Sequence, residues 1–274
     1  MKPRLAWFKQ LLRLLSLLLV CTVALQIVFA ARIALMAVLA PQSTAFQRSE
    51  AWRLLVDKQQ VSWSQQWVDR ERIGAHLQRA VIASEDAGFN DHGGVDWAAV
   101  EKAWGRNQQA EARAERAAAR TAARTAARAA AQTAVQTAGQ TAAPRPTLAP
   151  VPKVVGGSTI TQQLAKNLFL SGERTVLRKA QELLLTLMLE TLLSKERILE
   201  IYLNNVEWGE GVFGAQAAAQ HYFRIDPARL GPEQAARLAV MLPAPKRFEK
   251  RPGSPYVSGR AATIAARMGG IALP

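Results

Sequence analysis

Cysteine is almost missing from this 274-residue chain, Cys21 being the only one. That excludes an intramolecular disulfide and any cysteine-based zinc site. Histidine is nearly as scarce: His76, His92 and His221 are too scattered to form a metal cluster by themselves. The GxxxxGK[ST] spacing of a phosphate-binding P-loop does not occur, nor does a serine in an SxxK context or a KTG triplet. Acidic residues are in deficit, since 35 Lys and Arg against 21 Asp and Glu leave a formal charge of +14. Lys2, Arg4, Lys9 and Arg13 supply part of this excess, and residues 105–153 supply more, with eight basic residues against Glu111 and Glu115. The rest is only mildly basic, so the high isoelectric point does not indicate a nucleic-acid-binding core, and no nucleic-acid partner is expected.

A long apolar run is what the N-terminal region does have. From Leu14 to Ala31 only Ser16, Thr22 and Gln26 are polar, and apolar sequence continues after Arg32 to Pro41. A bilayer-spanning helix needs roughly 20 such residues. A cleaved signal peptide is the rival reading, because Val28-Phe29-Ala30 suits a signal peptidase, but the run exceeds an ordinary signal-peptide core. The expected division is a cytoplasmic basic segment over 1–13 and a transmembrane signal anchor over 14–40. The charges ahead of the run keep the N-terminus inside, and Arg32 can snorkel to the far interface.

Residues 41–104 and 154–274 have helical periodicity and composition. Residues 105–153 have neither aromatic residues nor much large aliphatic side chain, and they repeat TAAR and then QTA before a Pro-rich end. This low-complexity insertion cannot build a core. Arg116, Arg120, Arg124 and Arg128 recur every four residues, which predicts a solvated helix with one basic stripe. A tolerated surface insertion and a contact with anionic lipid or polymer both fit that pattern.

Three segments carry chemistry. In AHLQRAVIASEDAGFNDHGGVDW, residues 75–97, Glu85 follows Val81 by one helical turn on the edge of an apolar face. An inward carboxylate is either paired structurally or kept as an acid or base near neutral pH, and His92 is the expected partner of a nearby carboxylate. In VVGGSTITQQLAKNLFL, residues 154–170, Thr159 and Gln162 match a capping box. Ile160, Leu164 and Leu168 form a core stripe, while Thr159, Gln163 and Lys166 present a hydroxyl, an amide and an ammonium suited to pyrophosphate or a sugar. In residues 174–211, Arg178, Glu182, Thr186 and Glu190 line one side of a helix apolar enough to be buried. Such a stripe closes on itself as ion pairs or lines a cleft.

In order and wording, ED..F..H.G.D, GGSTITQQLAKNLF, RK..E, KERILEIYLN and GEGVFGAQAAAQHYF resemble the glycosyltransferase domain of peptidoglycan polymerases. The resemblance covers residues 75–104 and 154 to about 250, and it is greatest to the monofunctional biosynthetic peptidoglycan transglycosylases. Bifunctional relatives add a penicillin-binding transpeptidase domain, whose motifs are missing here, so no transpeptidase activity is expected. The resemblance implies a mostly α, lysozyme-like fold with one N-terminal transmembrane helix, in the inner membrane with its catalytic domain outside the cytoplasm. It implies polymerisation of lipid II into β-1,4-linked glycan with release of undecaprenyl pyrophosphate. The partners implied are lipid II, the growing strand, membrane lipids and proteins of cell-wall synthesis or division.

Carried over by position, Glu85 is the general base and Glu182 a second carboxylate that orients the acceptor or the adjoining basic groups. Lys166, Arg174, Arg178 and Lys179 neutralise pyrophosphate, and Asp86, Phe89, His92, Thr159, Gln163 and Asn167 shape the cleft. No cofactor is required, although some members place Mg or Mn on the pyrophosphate, and no metal ligand set is readable. One departure stands out: all of residues 93–155 lie between His92 and Gly156, where the family has a short, mobile connection. That places the insertion at the mouth of the cleft. A lytic transglycosylase and a membrane-anchored scaffold of wall synthesis are the competing readings; the first leaves the Lys166 and Arg178 cluster unexplained, the second the ordered polar positions.

Overall fold

A computed structural model describes residues 2–135, 157–173 and 175–274. The chain is mostly helical and divides into two compact units, one formed by Met1–Val95 with Ser158–Pro274 and the other by Asp96–Gly157.

The larger unit opens with α1 (Lys2–Leu35), whose Trp7–Leu35 stretch is apolar and long enough to cross a membrane. The helix stops at Leu35 and gives way to turns before Pro41, whereas apolarity alone carried the expected span to residue 40. Side chains from Trp7 to Val28 are largely exposed, but Ile33 and Met36 enter the core. Then follow α2 (Ala45–Lys58), β1 (Ser64–Gln65) and α3 (Ala75–Glu85). After the second unit, whose helix is α4 (Trp97–Val135), come α5 (Ile160–Phe169), α6 (Val176–Leu192) and α7 (Lys195–Asn205). The strands β2 (Glu207–Gly209) and β3 (Val212–Phe213) precede α8 (Gly214–Phe223), α9 (Pro232–Met241), α10 (Pro245–Phe248) and α11 (Pro255–Met268). The small sheet has the order β1-β3-β2, with β1 parallel and β2 antiparallel to β3. Its turn needs glycine at 211: φ is +73°, and a Cβ there would lie 2.0 Å from the Ser62 carbonyl oxygen.

The membrane-length helix is docked, not merely tethered. Gln26 and Gln181 exchange amide hydrogen bonds of 2.9 and 3.0 Å, Phe29 meets Phe169 edge-on, and Arg197 donates to the Met36 carbonyl at 2.7 Å. Arg32, expected to snorkel, stacks over Phe169. Against α1 lies α6, which corrects the expectation of a fully buried helix. Val176 and Leu177 are 86% and 83% exposed, and Leu184 and Leu187 are also exposed, whereas Glu182, Leu185, Thr186 and Leu189 are buried. A leucine face needs only to leave water, and lipid meets that requirement as well as protein does.

The smaller unit is dominated by α4 (Trp97–Val135), started by an Asp96 side chain that accepts from the Ala99 N–H. It begins upstream of residue 105, where low-complexity sequence was expected to begin. Lys102, Arg106, Arg113, Arg116, Arg120 and Arg124 are exposed and, at 3.6 residues per turn, fall within an arc of about 80°. Glu101, Glu111 and Glu115 lie outside that arc. Thr121 and Thr125 turn their hydroxyls back onto carbonyls one turn earlier, leaving the stripe to its cations.

Candidate active site

Local sequence places the first carboxylate. Leu77, Ala80 and Val81 anchor α3 in the core, so Glu85, its last residue, emerges where that helix ends. Glu85 Oε2 accepts from Gln163 Nε2 at 3.0 Å, and Oε1 accepts from the Ser84 hydroxyl at 3.3 Å. Burial raises the Glu85 pKa and the adjacent Asp86 adds to that, while the two hydrogen bonds and Lys166 pull it down. Gln163 is itself oriented, because its Oε1 accepts from the Tyr202 hydroxyl at 3.0 Å. Tyr202 is fully buried in α7, which holds its hydroxyl protonated well above the usual range. The relay Tyr202–Gln163–Glu85 therefore fixes which way the amide faces.

Behind Glu85 a clamp joins three of the five motifs. Asp86 Oδ1 is 2.8 Å from His92 Nε2 and Oδ2 accepts the Ile160 N–H at 3.0 Å. His92 Nδ1 accepts from the Gly94 N–H, which leaves Nε2 as the donor to Asp86. Phe89 is buried under Lys195, whose ammonium lies 4.5 Å from the ring centroid and donates to the His92 carbonyl at 2.7 Å. Thr159 caps α5 through the capping box with Gln162 and donates to the Gly94 carbonyl at 2.6 Å. Asp86, Phe89, His92 and Thr159 thus hold the loop after Glu85 against α5, and none of them is on the cleft wall. His92 does partner a carboxylate, as the sequence indicated.

The wall itself encloses about 580 Å³. Gln163, Lys166 and Asn167 from α5, Arg178, Lys179 and Glu182 from α6, and Glu207 from β2 line it. Glu85 is not on that wall but stands one side chain back, bonded to Gln163, which is. Lys166 has its pKa lowered by desolvation, with Arg178 and Lys179 adding and Glu182 opposing. Glu182 is only 3% exposed, and both its oxygens are engaged, one by Arg178 at 2.8 Å and the other by Lys179. Each oxygen thus carries one cation contact, which ties the carboxylate to Arg178 and Lys179. Both readings of the polar stripe hold for its first half, since Arg178 and Glu182 are ion-paired and line the cleft, whereas Glu190 pairs with Lys195 away from it. Arg174 lies outside the described residues.

Two residues escaped the sequence reading, Glu207 on the cleft wall and Tyr202, buried behind Gln163. Glu207 is 6% exposed, and its Oε1 has no hydrogen-bond partner among the described residues, the Lys246 ammonium being 3.5 Å away. Burial raises its pKa to about 7, with Glu50 and Glu249 adding and Lys246 opposing. The available signals were a polar-tipped aromatic one turn after Ile198 and an acid between Val206 and Trp208.

This cleft, a basic wall beside an oriented, half-buried carboxylate, coincides with a match of the transglycosylase family pattern to residues 53–121 and 130–269. The chain belongs to the transglycosylase family. The biosynthetic peptidoglycan transglycosylases of Burkholderia pseudomallei and Burkholderia thailandensis are each 47% identical to it over 251 residues, 92% of this chain and 82% of theirs. That of Paraburkholderia xenovorans is 44% identical over 251 residues, 92% of this chain and 88% of the relative. As a member of that family the chain is an enzyme, and the family match encloses all four of Glu85, Gln163, Lys166 and Glu182.

Proposed function

We propose that this transglycosylase polymerises lipid II into β-1,4-linked glycan, releasing undecaprenyl pyrophosphate by a single inverting displacement. The observation that carries the reading is the pairing of a Glu85 carboxylate, oriented by Gln163, with the Lys166 and Arg178 cations of the adjoining cleft wall. The acceptor's 4-hydroxyl oxygen attacks the anomeric carbon at the reducing end of the growing strand, and its proton passes to Glu85. The bond from that carbon to the pyrophosphate oxygen breaks, and the electron pair leaves with the pyrophosphate. Lys166 and Arg178 stabilise the departing charge, with Lys179 at the rim and Glu182 holding Arg178 and Lys179 in place. The raised Glu85 pKa favours proton uptake near neutral pH.

No three acidic, histidine or cysteine side chains converge on a metal position among the described residues, and the cleft wall offers Lys166, Arg178 and Lys179 to a pyrophosphate. These residues do not fit a bound Mg or Mn, so no step runs through one. Glycan synthesis is the whole activity we assign. The α1 helix anchors the enzyme, the basic residues preceding the span keep the N-terminus cytoplasmic, and the leucine face of α6 contacts membrane lipid. A second assignment of the base rests on one observation, the Glu207 Oε1 in the same cleft, which has no hydrogen bond among the described residues. Incubating the detergent-solubilised enzyme with labelled lipid II tests the reading. Glycan strands support it, shortened wall fragments indicate a lytic enzyme, and no change indicates a scaffold.

A further inference from the structure

A second concavity, of about 310 Å³, lies outside the catalytic cleft, where α1 gives way to α2. Arg32, Leu35, Leu39, Gln42, Ser43 and Arg48 are among the residues that line it. Its chemistry is divided. Leu35 and Leu39 are exposed and offer an apolar track, whereas the two guanidinium groups, an amide and a hydroxyl offer hydrogen-bond donors. Arg48 Nη1 donates to the Ser43 carbonyl at 3.3 Å and its hydroxyl oxygen at 3.0 Å, and Arg32 rests over Phe169. Neither guanidinium pairs with a carboxylate among the described residues. A guanidinium has five donors, so each arginine retains several for a ligand.

The depth of this cavity is fixed by α1. Trp7–Leu35 has 29 residues, which at 1.5 Å per residue gives about 43 Å, close to the ~40–45 Å of a bilayer including its headgroups. Arg32 is in the last turn of that helix. A helix that crosses from Trp7 therefore brings Arg32, and with it the cavity, to the phosphate layer of the far leaflet.

We propose that this cavity binds the phosphodiester of an anionic phospholipid in that leaflet, Arg32 and Arg48 holding the phosphate while an acyl chain follows Leu35 and Leu39. Guanidinium groups match a phosphate in planar, two-point geometry, and Gln42 and Ser43 suit a hydroxylated headgroup or an ester carbonyl. A zwitterionic headgroup brings an ammonium toward two unpaired cations and is disfavoured. Occupancy has a consequence for catalysis, because Arg48 lies in the first turn of α2, and Phe46 and Ser49 from that turn line the catalytic cleft. The inference rests on α1 spanning the membrane.

The test is lipid retention by the full chain purified in neutral detergent, read by native mass spectrometry with equal amounts of phosphatidylglycerol and phosphatidylcholine. The wild-type chain should keep one phosphatidylglycerol in preference. Arg32→Gln and Arg48→Gln should each weaken its association about fivefold, and Arg116→Gln should leave it unchanged. Ser43→Asp, which pairs Arg48 internally while the arginine packing stays intact, should also abolish the preference. Equal retention of both lipids, or undiminished retention by these variants, overturns the proposal. Displacement of phosphatidylglycerol by an equimolar polyprenyl phosphate overturns it too, by assigning the cavity to the substrate's lipid. Glycan synthesis measured on the same preparation separates the two readings: an active enzyme without retained lipid sinks this inference alone, and an inactive one that retains it sinks the polymerase alone.

Discussion

Replacing Glu207 with glutamine should remove the pH dependence that this buried carboxyl imposes on stability. Burial raises its pKa from 4.5 to about 7 in the folded chain. Because the folded value lies above the unfolded one, the folded chain still holds a proton that the unfolded chain has already released. Stability from this group is complete below 4.5, is lost as pH rises through the window to about 7, and is flat above it. At about 1.36 kcal/mol for each pH unit of that window, the loss approaches about 3 kcal/mol. Glu207→Gln keeps the shape and abolishes the titration, so above pH 7 it should melt higher than the wild type, by roughly 6–12 °C for a chain of this size. Melting in detergent across the window, with both proteins side by side, measures the difference. Parallel profiles, or a gap that widens on acidification, would refute the argument. The same variant should polymerise lipid II at near wild-type rate if Glu85 is the base.

Gln163→Ala should lower turnover by roughly 10- to 100-fold, the value of a hydrogen bond to a charged group, and Tyr202→Phe should do so more weakly because it frees the amide without removing it; steady-state kinetics on lipid II decides. Lys166→Ala and Arg178→Ala should each impair use of the donor, whereas Arg116→Ala, on the exposed stripe of α4, should not; equal losses in a donor titration would contradict the placement. Removing residues 1–24 should preserve synthesis in detergent and reduce it on bilayers, since the anchor supplies proximity to substrates confined to the same surface. Removing residues 1–40 should also lower the melting temperature, because it strips Ile33 and Met36 from the core.

What could be read from the sequence was what is decided locally. The Thr159–Gln162 capping box depends on four consecutive residues, and Glu85 follows from helical spacing in α3, so both were visible before any fold was known. Tyr202 and Glu207 were hidden because their partners are distant in the chain: Tyr202 meets Gln163 across 39 positions, and Glu207 faces Lys246 across a similar separation. Asp86, His92 and Phe89 were recognised as belonging together, but their role as a clamp depends on Ile160 and Lys195, which only the folded chain brings to them. The direction of α6 was ambiguous for a physical reason, since hydrophobicity says that Leu184 and Leu187 avoid water and not what replaces it. The start of α4 at Trp97 was obscured by composition, which changes several residues later than the backbone does.

The most direct measurement of the central claim is single-turnover polymerisation of labelled lipid II by Glu85→Gln enzyme, with melting temperature and donor binding followed in parallel. The amide keeps the shape of the side chain but cannot take the acceptor's proton. The rate should fall by roughly 10²–10⁴, with folding and donor affinity close to wild type. A folded Glu85→Gln enzyme that turned over at the normal rate would contradict the account and pass the role of base to Glu207, whose Oε1 in the cleft has no hydrogen bond among the described residues.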